Sequence, residues 1–243
     1  MNKTIKILLA QGHGAGKDFN RGGLYFNEGD NNFYYSLVLK EELEKYEGLQ
    51  VDLLRKKITD NPTLTQRAAM GEGYDLYFAI HSNATNDPNV RGTEVWDSIE
   101  RPNKTLAKSI CDATVKLFNH NNRGVRYKEG QKGFNWYGEL RLNKAKSAMI
   151  VENGFHTNHC DCLFFKENHK QLAEIQAKAI AGYYGLKKKG SDNMNKKEQT
   201  VSDWAKEARE WAIKNGITDG VRPKDTPTRE EIWTMLYRIS KLK

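Results

Sequence analysis

The sequence contains no apolar run of about 18 residues, the length a bilayer-spanning helix needs, and this excludes an integral membrane protein. The opening stretch Ile5 to Ala10 is shorter than a secretory core and runs straight into Gly12-His13-Gly14 without a small-residue cleavage site, so no export signal is read. Cysteine is scarce. Cys111, Cys160 and Cys162 are odd in number within 243 residues, a length that does not depend on disulfides, which implies reduced thiols and synthesis in the cytoplasm. Cys160 and Cys162, one residue apart, would project to opposite sides of a strand and cannot bridge without strain, so buried free thiols are expected. Acidic residues are outnumbered by basic ones, 31 against 39, giving a net charge of +8. The resulting pI near 9.2 favours anionic partners: nucleic acid, anionic lipid or the polymers of a bacterial wall. The basic residues are scattered rather than arrayed on one helix or platform, which argues against nucleic acid.

What is present alternates. Residues 4–10, 49–54, 75–80, 92–97 and 147–151 are short apolar runs bounded by turn residues, and they read as strands. Between and after them lie helical stripes: Tyr35, Leu39, Leu43 and Tyr46; Leu106, Ile110, Ala113 and Leu117; and, over about 167–184, Leu172, Ile175, Ala179 and Tyr183. The alternation predicts an α/β domain with a mostly parallel central sheet flanked by helices, over residues 1–185. From 186 to 199 the chain holds almost nothing apolar and many charges, and it reads as a linker. Residues 200–243 predict a small all-α module: Trp204, Ala208, Trp211 and Ala212 mark one helix ended by Asn215-Gly216. A second helix starts at Thr228, where Pro227 and Glu231 complete a capping box. Two helices in about fifty residues make a marginal core, so self-association or docking on a partner is expected of this tail. Codons for Lys187 to Ser191 can spell a purine-rich ribosome-binding sequence ahead of Met194, so a separately translated tail is a further expectation, checked in the coding DNA.

An α/β sheet gathers its site at the carboxyl ends of its strands. His13 follows the first strand between Gly12 and Gly14, which allow a sharp turn and leave the ring room to reach a metal. His81 ends the third predicted strand. Glu28 lies in a polar loop before the first helix, and Glu152 terminates the last strand, where a carboxylate is costly unless paired or functional. Two imidazoles and a carboxylate are the donor set of catalytic zinc, which keeps one position open. Zinc lowers the pKa of water to roughly 7 and polarises a scissile carbonyl. Glu152 would move the proton from water to the leaving amine. A rival cluster, His156, His159, Cys160 and Cys162, lacks the two separated ligand pairs of structural zinc sites. His120 and His169 read as solvated surface groups.

These segments resemble the zinc amidases of the Amidase_3 type over about residues 4–185. The resemblance rests on Gly12-His13-Gly14, Asn27-Glu28 followed by Asn32, Ile80-His81-Ser82-Asn83, and Val151-Glu152-Asn153-Gly154-Phe155-His156-Thr157-Asn158 with Asp161. It implies His13, Glu28 and His81 as zinc ligands, Glu152 as the catalytic acid-base, and peptidoglycan as substrate, cut between N-acetylmuramic acid and L-alanine. Two departures stand out: Gln11 replaces the acid that commonly opens the first motif, and the aspartate expected soon after it arrives at Asp18. Arg141 matches the family's Leu-Arg segment and is a candidate to bind substrate or to stabilise the fold. Over Ser202 to Lys241 the tail resembles a single S-layer-homology motif, implying attachment to a Gram-positive wall. With no export signal, the expected role is a phage endolysin acting on the wall after release from the cytoplasm. The alternatives are a leaderless autolysin, a zinc peptidase cutting the stem peptide, or a wall-binding protein with a decayed site, against which the retained Glu28 and Glu152 speak.

Overall fold

The computed structural model describes residues 4–16, 21–190, 201–218 and 229–241, together with Gly220 and Pro227. It comprises two compact units, Met1–Lys189 and Gly190–Lys243. In the first, the chain runs β1 (Ile5–Gln11), α1 (Glu28–Leu43), β2 (Leu49–Leu53), α2 (Leu64–Ala69), β3 (Leu76–Asn83), β4 (Thr93–Asp97), α3 (Lys104–Phe118), β5 (Asn122–Arg126), α4 (Gly138–Arg141), β6 (Ala148–Phe155), α5 (His159–Glu167) and α6 (His169–Tyr183). One sheet holds all six strands in the order β2-β1-β3-β6-β4-β5. Neighbours are parallel except β4 and β6, which run antiparallel. This is the mostly parallel α/β fold that the alternation predicts.

Both faces of the central strands are buried, which is why they read as unbroken apolar runs. On one face Ile7, Leu9, Phe78, Ile80, Met149 and Val151 meet Tyr35, Leu39 and Leu43 of α1, with α3 and α6 alongside. On the other, Leu8, Ala10, Tyr77, Ala79, Ala148 and Ile150 pack with Leu54, Leu140 and Ala145, and the partly buried Tyr74, Trp96 and Tyr137 lie against them. By strand alternation His81 and Glu152 share this second, more thinly covered face with Tyr77, Ala79 and Ile150.

Strand β5 was not foreseen because Asn-Arg-Gly-Val-Arg offers a single apolar side chain, as suits a charged sheet edge. The α1 stripe lies inward as read, with Tyr35, Leu39 and Leu43 all buried. The stripes of α3 and α6 are rotated. Leu106 and Ile110 are buried in α3, but Thr114 and Phe118 take the places read for Ala113 and Leu117. In α6 the inward residues are Leu172, Ala173, Gln176, Ala177, Ile180 and Ala181, while Tyr183 is exposed. The cause is polar. Gln176 is buried, its Oε1 accepts from Tyr35 Oη at 2.7 Å, and its Nε2 donates to Thr114 Oγ1 at 2.9 Å and to Asn153 Oδ1 at 2.8 Å. A hydrogen-bonded amide at the helix–sheet junction sets the rotation, and apolar periodicity cannot register it.

Cys160 and Cys162 lie in α5 rather than in a strand, and Cys160 is exposed while Cys111 and Cys162 are buried. Helix α5 was missed as a separate element; it begins at the N-cap Asn158, whose side chain accepts from the backbone of Asp161. His120 and His169 are not solvated. The His120 side chain is fully buried, with Nδ1 2.8 Å from Asp161 and Nε2 2.8 Å from Thr93 Oγ1. His169 lies against the rings of Tyr35 and Phe165, and burial pushes its pKa down to about 4.

The second unit contains α7 (Lys206–Lys214) and α8 (Arg229–Ser240). α7 ends at Asn215 and Gly216, whose φ of 66° is the left-handed stop expected of such a pair. Neither helix buries a residue, and Trp204, Trp211, Trp233 and Tyr237 are all exposed. Thr228, Met194 and Asp18 lie outside the described residues. Among those described, no helix is long and apolar enough to cross a membrane.

Candidate metal centre

His13 sits one residue past the Gly12 amide, which still donates to Ile80 O at 2.9 Å and so continues the sheet. The backbone then swings into the left-handed region at His13, φ 63°, a conformation that costs a non-glycine residue about 1–2 kcal/mol and is kept where function requires it. His81 lies inside β3, which continues to Asn83, and Glu152 lies inside β6, which continues to Phe155. Both strands run on past the ends read from the sequence. Glu28 is the first residue of α1 rather than part of a loop, so the positive end of the helix dipole supports its charge.

These elements bring His13, Glu28 and His81 together, with one donor atom from each within 4.8 Å of the others. Among the described residues no other group of three metal-compatible side chains converges in this way. Glu28 is the hub: its Oε2 lies 3.1 Å from His13 Nε2 and its Oε1 lies 3.2 Å from His81 Nδ1. The Ser82 amide donates to Oε1 at 2.9 Å, and His156 Nδ1 stands 3.7 Å from Oε2. Burial alone would raise the Glu28 carboxyl, but hydrogen bonds and charge from His13 and His81 outweigh it and hold it well below the usual range.

His81 faces a second carboxylate on its other side. Its Nε2 is 3.3 Å from Glu139 Oε2, and Glu139 also accepts from Tyr77 Oη at 2.6 Å and lies 3.8 Å from Arg67. Burial opposes protonation of His81, yet the hydrogen bonds to Glu139 and Glu28 raise it to about 10. Glu139, itself buried, is held down to about 2 by His81 and Arg67. Arg67 further donates to the carbonyl of His13 at 3.3 Å, so one guanidinium braces the neighbours of both imidazoles. Sequence reasoning missed Glu139 and Arg67. The one available signal was that Glu139 stands two residues before Arg141 in the Leu-Arg segment already singled out.

The donor set suits zinc: two imidazoles and one carboxylate are what catalytic zinc sites use. The space around it is also shaped. A Cβ added at Gly12 would come 2.3 Å from the His81 ring, so glycine is what lets that ring lie where it does. Glu152 faces His81 directly across β3 and β6, and its Oε2 is buried without a partner among the described residues. Burial, with the charges of Glu28, Glu94 and Glu139 and against that of His81, raises its pKa to about 8. A buried carboxyl with an unpartnered oxygen beside two imidazoles and a second carboxylate is an arrangement that marks candidate functional sites.

Gln11, at the place of the family's first acid, does not touch His13. It is fully buried, donates to Ser36 Oγ at 2.8 Å and accepts from the Arg55 amide at 2.8 Å, joining β1 to α1 and the end of β2. Arg141 donates to the carbonyls of Asn135 and Trp136 at 2.9 and 2.7 Å, fixing the segment that carries Trp136 and Tyr137. Of the rival cluster, His156 is buried against Ser82 and Glu28, while Cys160 faces outward. Asp161 accepts from the Gly92 and Phe155 amides at 2.9 and 3.1 Å and pairs with Arg91 and His120, a structural knot behind the site.

A family model described as Amidase_3, N-acetylmuramoyl-L-alanine amidase, matches residues 7–182. Among solved structures, the catalytic domain of CwlV, an N-acetylmuramoyl-L-alanine amidase from Bacillus (Paenibacillus) polymyxa var. colistinus, is similar with a TM-score of 0.65 and 21% identity, over 76% of this chain and 100% of that one. The catalytic domain of CD27L, an endolysin targeting Clostridia difficile, gives a TM-score of 0.59 and 26% identity over 73% of this chain and 97% of that one. Cwp6 from Clostridium difficile gives 0.66 and 24% over 75% of this chain, which spans 30% of the length of Cwp6. No curated protein sequence matches the chain.

Proposed function

The chain belongs to the Amidase_3 family of N-acetylmuramoyl-L-alanine amidases, and from that membership we propose a zinc-dependent hydrolase that frees the stem peptide of peptidoglycan from its sugar, acting as a phage endolysin. The observation that carries the zinc reading is the convergence of His13, Glu28 and His81 beside the unpartnered Glu152. His13, Glu28 and His81 would hold the ion. When bound, zinc lowers the pKa of water toward about 7 and polarises a carbonyl. Glu152 takes a proton from the attacking water and returns it to the alanine nitrogen as the amide C–N bond breaks. A carboxyl with a free oxygen beside the site can serve both transfers in turn. Glu139 and Arg67 hold His81 and the His13 backbone in place.

The endolysin role is supported by the likeness to the catalytic domain of CD27L and by the basic character of the chain, which suits the thick anionic wall of a Gram-positive cell. Residues 200–243 serve in this reading as a wall-binding or self-associating module, supported by the exposed aromatics of its two helices. A bacterial autolysin would share the chemistry.

Purified Gram-positive wall digested by the enzyme and resolved by mass spectrometry tests the activity. Free alanine amino termini with intact muramic acid lactyl groups are expected; a stem-peptide peptidase would leave the lactyl–alanine bond whole. Glu152→Ala should retain zinc and lose hydrolysis, whereas His81→Ala should lose both. Wall lysis by Glu152→Ala at the parental rate would show the proton transfer to be wrongly assigned.

A further inference from the structure

The more thinly covered face of the sheet beside Glu152 carries a set of cations that the hydrolytic reaction does not use. Glu94 of β4 stands directly opposite Glu152 of β6, and Trp96 stands opposite both Ile150 of β6 and Arg126 of β5. By strand alternation Glu152, Glu94, Trp96 and Arg126 therefore share one face. Glu94 is 3% exposed; it accepts from Arg123 Nε at 2.8 Å, Asn83 Nδ2 at 2.9 Å and Trp96 Nε1 at 3.1 Å, and Arg126 Nε pairs with it by charge at 3.0 Å. Charged residues on a sheet edge ordinarily point into solvent to discourage edge pairing. Here two arginines share one buried carboxylate, which leaves a positive excess at a fixed place. Their side chains are 31% and 42% exposed, and among the described residues their terminal amino groups make no hydrogen bond. Arg126 Nε, although close to Glu94, is itself buried and not aligned to donate to it. Lys128, two residues past Arg126, holds its ammonium 4.6 Å from the Trp136 ring centre.

We infer that Arg126, with Arg123 beside it, forms a carboxylate-binding subsite for the stem-peptide residue that follows the scissile alanine. The inference rests on the amidase reading. In that peptide the second residue is a γ-linked glutamate whose α-carboxyl is either free or amidated. One Cα–Cα step plus the carboxylate places its oxygens about 6–8 Å beyond the scissile nitrogen. Strand β5 lies two strand spacings, about 10 Å, from β6, and an arginine side chain reaches back across most of that distance. The pairing is carboxylate to guanidinium, the geometry the arginine fork suits best.

The test uses two N-acetylmuramoyl tripeptides that differ only in carrying a free carboxylate or a carboxamide at that glutamate, with kcat/KM measured for each on the full chain. The wild type should favour the acid by about tenfold, the contribution of one partly exposed charge-assisted hydrogen bond. Arg126→Met should bring the ratio close to one through KM, and Arg123→Met should lower it in part, with folding verified by an unchanged melting temperature. A wild-type ratio near one, with both substrates cleaved, overturns the subsite and leaves the amidase reading intact. An unchanged ratio in a folded Arg126→Met also overturns it. Cleavage of neither substrate by the wild type overturns the amidase reading and the subsite with it. The wild-type ratio needs no variant, so the inference stays testable should Arg126→Met fail to fold.

Discussion

Replacing Glu139 by Gln changes one oxygen for a nitrogen in a fully enclosed place and asks whether the second carboxylate at His81 matters for metal binding. Glu139 touches three groups: His81 Nε2 at 3.3 Å, Tyr77 Oη at 2.6 Å and Arg67 at 3.8 Å. A carboxylate behind a metal-ligating imidazole fixes its tautomer and raises its basicity, and removing such a partner costs about 10- to 100-fold in metal affinity. The 3.3 Å separation is long, and Arg67 draws on the same carboxylate, so the lower end, about tenfold or 1.4 kcal/mol, is expected. Arg67 would keep its bond to the His13 carbonyl but lose its charged partner, and a fall in stability should accompany the fall in affinity. Zinc affinity is measured by competition with a chromophoric chelator on protein shown to be folded, and a cobalt-substituted sample reports ligand geometry by its absorption spectrum. Tyr77→Phe is the control, since it removes a neighbour of Glu139 without touching His81, and it should leave the cobalt spectrum unaltered. Wild-type zinc affinity and spectrum in a folded Glu139→Gln protein would refute the reasoning.

Gly12→Ala places a methyl carbon 2.3 Å from the His81 ring and must displace it, so a folded variant should bind zinc much more weakly, read by the same competition assay. Its melting temperature without metal should fall little; equal loss with and without zinc would count against a site-specific effect. The third prediction concerns acid. Burial lowers the His169 pKa from 6.5 to about 4, so the folded state resists a proton that the unfolded chain accepts. Its stabilising contribution is therefore complete above pH 6.5 and is lost as pH falls from 6.5 toward 4. The full shift corresponds to about 3 kcal/mol, and partial solvation reduces the expected loss to about 2 kcal/mol. His169→Gln should flatten that limb in urea unfolding at pH 7.5, 5.5 and 4.5; parallel pH profiles for the two proteins would refute the assignment.

His13, His81 and Glu152 were legible because each sits in a segment whose local chemistry is unusual on its own, whereas Glu28, in a polar stretch, was picked out by the donor set it completes. His13 between two glycines, His81 closing an apolar run, and Glu152 directly after Met149-Ile150-Val151 all set polar chemistry against a background that predicts burial. Glu139 and Arg67 offer no such contrast. They come from α4, four residues long, and α2, six residues long, where helical periodicity has too few turns to declare a face. The rotation of α6 escaped for the reason given by Gln176, a polar residue at its buried centre. His120 and His169 escaped because a histidine flanked by polar residues is buried only by contacts distant in the chain, Asp161 for the first and Tyr35 for the second.

The antiparallel pairing of β4 with β6 explains why the cations beside the site were also hidden. In a wholly parallel sheet functional side chains collect where strands end, and the search for candidates follows that rule. β4 reverses direction, so it delivers its beginning to the same edge: Glu94, its second residue, meets Glu152 near the end of β6. β5 runs parallel to β4 and likewise starts at that edge. Glu94 and Arg123 at the entrances of these two strands thus stand beside residues at the exits of β3 and β6, and Arg126, the last residue of β5, reaches back to Glu94. The reversal also separates two kinds of work. In the proposed function the segment after β1, strands β3 and β6 and the start of α1 would supply the metal donors and the proton carrier, while β4 and β5 would supply the wall against which a substrate lies. If that division holds, exchanges at Arg123 and Arg126 should alter which stem peptides are cut, and exchanges at His13, Glu28 or His81 should abolish cutting whatever the peptide.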